Sequence, residues 1–260
     1  PRRAMIAGKN RGESNLPTEE DRKKRALDYL SRDPLLHMGM IRSVRNGSAK
    51  LLRVSGKGVL LYNTAGHITM ASAADEEEAD RIAAACQAGG LCVAHQKFLA
   101  DRLRDRFGFA ENMECRQAAY LKRGPIPVPE SPAVLRPLDE RFLPFVRERY
   151  RLEDYGGYLA ELLRAGGMLG AFVGGDPLPA GFVGRHAEGT VGMLLVRPEY
   201  RRRGVGLALE VSMVDRVLAA GEVPFGQIAV GNAASMRLQE KLGFAVSKST
   251  LFWLAAEEPG

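Results

Sequence analysis

Residues 196–209 read VRPEYRRRGVGLAL. Arg201, Arg202 and Arg203 run into Gly204 and Gly206, and an apolar helical pattern follows. Upstream, GMLLV (192–196) suits a buried strand; downstream, LALEVSMVDRVL (207–218) has helical spacing. A glycine turn between strand and helix leaves the first helical N–H groups without intrahelical partners. Those groups carry the positive end of the helix dipole and form a cradle for phosphate oxygens. Gly204 and Gly206 let a ligand approach without a Cβ in the way, and the arginines add charge-assisted bonds. Commoner phosphate turns do not fit. Leu209 stands where a dinucleotide fingerprint needs its third glycine, and there is no GxxxxGK. Three arginines flanked by Glu199 and apolar positions are too few for a nucleic-acid patch.

Around this turn the second half reads as α/β. DYGGYLAELLRAG (154–166) predicts a helix, MLGAFVG (168–174) and PAGFVGRH (179–186) strands joined by GGDPL, and TVGMLLV (190–196) a third strand. The helix after the glycines stops at Gly221, FGQIAV (225–230) is a strand, AASMRLQEKLG (233–243) a helix and STLFWLA (249–255) a closing strand. GPIPVPESP (124–132) has four prolines in nine residues, which excludes a helix or a central strand and marks a linker. Before it, GVLLYN (58–63) and HITMAS (67–72) predict a hairpin, and DEEEADRIAAACQAG (75–89) a helix with acidic residues in its first turn and Gly89 at its end. The halves also echo one another. RLRDRFGF (102–109) and RLQEKLGF (237–244) share Arg, Leu, Gly and Phe, and each follows an apolar strand-like run. This predicts two similarly folded halves, of which only the second keeps the Arg-Gly turn.

At 260 residues the chain suits two domains, and 45% hydrophobic with 26% charged residues is an ordinary globular composition. No run approaches a membrane span and the N-terminus lacks a signal-peptide core, so the expected location is the cytoplasm. Cys86, Cys92 and Cys115 are scattered without CxxC spacing, and His37, His67, His95 and His186 form no HxxxH pair, so reduced thiols and no metal are expected. Of the net charge of +6, residues 1–25 hold eight basic against four acidic residues. The excess therefore reads as a polar leader, with the folded first half at 26–123, and nucleic acid is not the expected partner.

VRPEYRRRGVG resembles motif A of the GNAT acetyltransferase superfamily, Arg/Gln-x-x-Gly-x-Gly/Ala after a strand, with Arg201, Gly204 and Gly206 in the signature positions. VGNAASMRLQEKLGF (230–244) resembles motif B, where an asparagine ends a strand and a helix leads to Leu-Gly-Phe. The likeness spans about residues 133–256 and is greatest to the glycine N-acyltransferase-like branch, whose N-terminal half is a degenerate GNAT-like domain. It implies a GNAT fold, a mixed and splayed β-sheet flanked by helices, in residues 133–260, preceded by such a degenerate domain. It also implies acetyl-CoA or another acyl-CoA as co-substrate, with the pyrophosphate on the N–H groups of residues 202–207, Val205 and Leu207 included. The pantetheine arm would pair with the backbone of Leu194 and Val196, and Asn232 and Ser235 would line it. A neutral amine would attack the thioester directly, with a backbone N–H near Val196 polarising the carbonyl. The implied partners are acyl-CoA and a small amine acceptor such as an amino acid; a homodimer is compatible with this reading.

The pattern departs from the family in two places. Where many members have a tyrosine that protonates the leaving thiolate, this chain has Gln239, and an amide is no proton donor. No carboxylate lies on the central strands, which leaves His186 and Glu188 as the candidate catalytic groups, an imidazole being the side chain that exchanges protons near neutrality. Tyr150, Tyr155 and Tyr158 are candidates for the acceptor pocket. A protein N-acetyltransferase and a CoA-binding module without catalysis are the rival readings.

Overall fold

The computed structural model describes residues 17–87, 89–127, 129–150 and 157–256. Helix α1 (Glu19–Leu30) begins inside the stretch read as a leader. Thr18 and Asp21 form a reciprocal capping box there, and Ala26, Tyr29 and Leu30 are buried, so the charge-dense segment is an amphipathic helix from residue 19 onward. The rest of that leader, residues 1–16, lies outside the described residues. Helix α2 (Met38–Arg45) leads to the meander β1 (Ala49–Val54), β2 (Gly58–Asn63) and β3 (Ile68–Ala73). In the β2–β3 turn the Asn63 side chain accepts from the Gly66 N–H. Helix α3 (Glu76–Ala85), capped by Asp75, ends at Cys86 rather than at Gly89. Strand β4 (Leu91–Ala94), helix α4 (Lys97–Phe107) and β5 (Phe109–Ala119) complete the first half.

The second half runs β6 (Val134–Pro137), α5 (Leu143–Arg149), α6 (Tyr158–Arg164), β7 (Met168–Phe172), β8 (Gly181–Arg185), β9 (Val191–Val196), α7 (Val205–Ala219), β10 (Phe225–Ala229), α8 (Ala233–Leu242) and β11 (Ala245–Ala256). None of the described helices is long and apolar enough to cross a membrane.

The two halves exchange their last strands. Among the described residues one sheet runs β1-β2-β3-β4-β11-β5-β10 and the other β6-β7-β8-β9. Strand β11 leaves the second half to pair antiparallel with β4, from Phe252↔Ala94 to Ala255↔Leu91. Strand β5 leaves the first half to pair antiparallel with β10, from Phe225↔Ala119 to Ala229↔Cys115. The exchanged strands also pair with each other, from Ala245↔Ala119 to Ala256↔Phe109. The order β4-β11-β5-β10 is thus equivalent from either end. The echoed Leu/Phe-Gly-Phe segments stand at the two matching joints: Gly108 and Gly243 close α4 and α8 in the left-handed conformation and turn the chain into the exchanged strands.

Helices cover both faces of each half. In the first, α3 and α4 pack Ile82, Leu99 and Leu103 on one side, and α1 and α2 pack Leu30 and Met40 on the other. In the second, α5 and α6 bury Phe145 and Leu159 against Phe182, and α7 buries Leu209 and Met213 on the opposite face. The Pro-rich linker lies along α7, with the Ile126 N–H on the Asp215 carboxylate at 3.3 Å. A charge cluster joins the halves. Glu222, after α7, accepts from Arg42 Nε and Arg185 Nη2, each at 2.6 Å, and Arg42 Nη1 donates to the Glu188 carbonyl at 2.9 Å. Burial opposes ionisation of Glu222, but the two guanidiniums win and hold its carboxyl below the usual range. The three cysteines are free and buried.

Between α7 and α8, Gln239 Nε2 donates to Glu210 Oε1 at 2.8 Å, while Gln239 Oε1 is buried without a partner. Glu210 is 3% exposed, and burial raises its pKa, with the Gln239 hydrogen bond working in the other direction. The folded chain therefore holds this proton to higher pH than the unfolded chain. The associated stability is complete below the ordinary glutamate value of about 4.3 and is lost as pH rises through the raised folded value. Glu210→Gln keeps an acceptor for Gln239 Nε2 and removes the ionisable group. Thermal unfolding should show stabilisation by about 1–3 kcal/mol at about pH 8 and a smaller gain at about pH 4. Equal gains at both pH values would contradict a protonated Glu210.

Candidate functional site

The Arg-Gly turn opens α7. Gly204 is left-handed (φ 76°), and a Cβ there would lie 2.6 Å from the Glu130 carbonyl of the linker. Both constraints demand glycine. The first helical bond is Ala208 N–H to Gly204 O at 2.9 Å. Among the described residues, nothing accepts from the N–H groups of residues 202–207. Residues 202 and 204–207 border a cavity of about 390 Å³ that Val196 and Arg201 also line, with Leu238 and Lys241 reaching in from α8. Helix-start amides and cationic side chains facing one cavity favour an anion there. Arg203 is not among the lining residues and sits over the Tyr200 ring at 5.8 Å. Lys241 was not singled out in the sequence, where it is one charge of an ordinary amphipathic helix; only the fold of α8 beside α7 brings it to the cradle.

Beside the turn the sheet splits. Strands β9 and β10 touch where a Cβ on Gly226 would meet the Val191 carbonyl at 2.6 Å, yet among the described residues they share no ladder and β9 is paired on its β8 side alone. In β9 a bulge sets Met193 and Leu194 against Val183, and Met193 is left-handed (φ 55°). A non-glycine residue there costs of order 1–3 kcal/mol. Past the bulge, the Arg197 N–H bonds Ala180 O on β8. By strand alternation the polar groups of Leu194 and Val196 then face away from β8, toward the split. The Val196 carbonyl accepts from Arg201 Nε at 3.0 Å. Asn232 caps α8, its side chain accepting from the Ser235 N–H at 3.0 Å, so these two stand together at the end of β10. Neither they nor Leu194 line the cavity at 204–207.

The two catalytic candidates are placed differently. His186 Nδ1 lies 3.0 Å from the Tyr158 hydroxyl, which also accepts from the Ala187 N–H at 3.2 Å. Its Nε2 would be 3.2 Å from a Cβ on Gly192, so glycine makes room for the ring. Burial, and less strongly the charge of Glu188, raises the Tyr158 pKa, so the phenol is neutral and serves as a hydrogen-bonding group. Glu188 is 4% exposed, accepts from the Thr190 hydroxyl, and packs against Gly66 of the first-half hairpin. It thus stands at the contact between halves. Tyr150 packs edge-on to Phe182 with 6.4 Å between centroids, in the α5–α6 core. Tyr155 falls outside the described residues. Gln239 points at Glu210 and is absent from the cavity lining.

The first half lacks this cradle for a physical reason. Strands β3 and β4 are parallel and paired from Ile68↔Leu91 to Ala71↔Ala94, so the equivalent split is closed. At the start of α3 the Asp75 carboxylate accepts from the Glu78 N–H, and Glu76, Glu77 and Glu78 fill the first turn, where they would repel phosphate.

Residues 169–253 match the protein-family model described as FR47-like protein. No curated protein sequence matches the chain. Among solved structures, a Drosophila protein aligns with TM-score 0.64 at 15% identity over 92% of this chain and 97% of that one. A Novosphingobium aromaticivorans protein described as a GNAT-family acetyltransferase gives 0.54 at 22% identity, covering 89% and 99%. A GCN5-related N-acetyltransferase from Kribbella flavida gives 0.53 at 15% identity, covering 85% and 95%. At these identities the likeness speaks for the fold. The chain has the GNAT acetyltransferase fold, with the FR47-like region in its second half and an additional half before it.

Proposed function

We propose that the protein is an acyl-CoA-dependent N-acyltransferase that moves an acetyl or other short acyl group to a small primary amine, in the manner of the glycine N-acyltransferase-like branch. The observation that carries this reading is the set of helix-start N–H groups at 202 and 204–207, without an acceptor among the described residues, bordering a cavity with Arg201, Arg202 and Lys241 next to the split between β9 and β10. The amides would hold the pyrophosphate, and the backbone of Leu194 and Val196 would hold the pantetheine arm. The thioester then lies toward the bulge, on the side of the His186 turn. Direct attack needs a neutral amine. With Nδ1–H donated to the Tyr158 oxygen, His186 keeps a lone pair on Nε2 to take the amine proton. The amine nitrogen bonds to the thioester carbon, the C–S bond breaks, and the thiolate leaves with CoA. Glu188, bonded and buried at the contact between halves, would set the turn that carries His186. The position of Gln239 favours one other reading, a CoA-binding module without transfer. Release of CoA thiol across a panel of amines and amino acids separates the two.

Gly206→Asp is the cleaner test of the cradle, because a Cβ there meets only Val196 Cγ2, at 3.3 Å, whereas Gly204 cannot be substituted without displacing the linker. The variant should fold and lose at least about tenfold in acetyl-CoA affinity by calorimetric titration. Unchanged affinity would overturn the assignment. His186→Ala should slow acyl transfer more at about pH 7 than at about pH 9, where more of the amine is already neutral. Equal losses at both would remove His186 from the base role.

A further inference from the structure

The first half carries an open pocket of about 510 Å³ at the C-terminal ends of the parallel strands β3 and β4, bordered by the α1–α2 connection and by β11. Its floor is a buried hydrogen-bond chain whose polarity can be assigned throughout. His37 Nδ1 faces the Leu30 carbonyl at 3.0 Å, which can only accept, so Nδ1 carries the proton. His37 Nε2 therefore accepts, from the Ser72 hydroxyl at 2.8 Å. Ser72 Oγ in turn accepts from Tyr29 OH and Gln96 Nε2, each at 3.0 Å, and Gln96 Oε1 accepts from the Ala73 N–H at 2.8 Å.

His95 is the exception. Its Nδ1 must donate to the Ala71 carbonyl at 3.0 Å, which leaves a lone pair on Nε2. Among the described residues no group bonds that atom. Nor is it sealed in the interior, since among the described residues the one fully buried side-chain polar atom without a partner is Gln239 Oε1. His95 is 3% exposed and lines the cavity, so its free acceptor opens there. Burial, with the neighbouring His37 adding to it, holds the His95 pKa down to about 3, so the ring is neutral.

The remaining walls define the rest of the ligand. Phe98, Phe252 and Leu36 are apolar. Of the charged lining residues, Arg32 lies over the Tyr29 ring at 5.4 Å, Asp33 is its neighbour in the chain, and Lys97 lies over the Phe252 ring at 5.9 Å and is also bonded to Asp101. A second acyl-CoA does not fit here, because the acidic first turn of α3 and the closed β3–β4 pair remove the anion cradle.

The geometry points to a second binding site in the first half, for a small aromatic carboxylic acid whose hydroxyl donates to His95 Nε2 while its carboxylate faces Arg32 and Lys97. Nothing in the acyl-transfer reading uses these residues, and the site stands or falls apart from it. A ligand O–H meeting a fixed buried acceptor is discriminated from an analogue without the proton, because the acceptor is otherwise left unpaired.

The test is calorimetric titration of the whole chain with 4-hydroxybenzoate and with 4-methoxybenzoate, with and without saturating acetyl-CoA. It is paired with ¹⁵N spectra of the histidine rings. The expected result is one equivalent of 4-hydroxybenzoate bound in either condition, at least about tenfold weaker binding of the methoxy compound, and a shift of the His95 Nε2 resonance on binding. His95→Phe, which keeps a ring in place, should abolish the heat. Should that variant not fold, the Nε2 shift in the parent protein decides. Equal affinity for the two benzoates, an unmoved Nε2 resonance, or no binding of 4-hydroxybenzoate would overturn the proposal.

Discussion

The antiparallel pairing of β5 with β11 constrains everything else in this chain. Each of these strands leaves the half whose sequence precedes it and completes the sheet of the other half. Leu251, Phe252 and Leu254 on β11 are nearly fully buried, and burying such a side chain is worth about 1.5–3 kcal/mol. Residues of the second half thus build the core of the first. Because the seven-stranded sheet is not finished until both halves are present, the exchange ties their folding together.

This arrangement also explains how a half without a cradle serves the half that has one. Strand β5 holds the edge of β10 that faces away from β9, and among the described residues β9 and β10 share no ladder beside the Arg-Gly turn. On the opposite side of the second half, Arg42 bonds the Glu188 carbonyl and shares Glu222 with Arg185, fixing the turn that carries His186. Gly189 (φ 106°) is required there, since a Cβ would fall 2.6 Å from the Arg42 guanidinium. The first half has acidic residues in the first turn of α3 where the second half has arginines before α7.

Much of this was legible in the sequence, for identifiable reasons. Strands buried on both faces, such as GVLLYN and MLGAFVG, show as continuous apolar runs. The helices around Gly204 and Gly243 announce themselves through glycine and spacing. The RLRDRFGF and RLQEKLGF echo marks the joints of the exchange, but an echo cannot say which partner a strand will choose, and pairing between strands as far apart as Phe225 and Ala119 or Ala245 and Ala119 leaves no local trace. The Met193 bulge was hidden because methionine gives no hint of a left-handed backbone. Helix α1 was missed because net charge outweighed its Thr18–Asp21 capping box. At the site, the turn before α7 was readable because Gly204 stands between an apolar run and a helical pattern. Lys241, Tyr158 and the surroundings of Glu188 depend on contacts between distant elements.

Native-state hydrogen exchange of the β5 and β11 amides addresses the interlocked architecture most directly. If the halves are one unit, both strands exchange only through a common global opening, with the same free energy, and denaturant produces a single transition. Two separate openings, with β11 amides following α8 and β5 amides following α4, would mean the halves fold independently and the exchange is not what holds the molecule together.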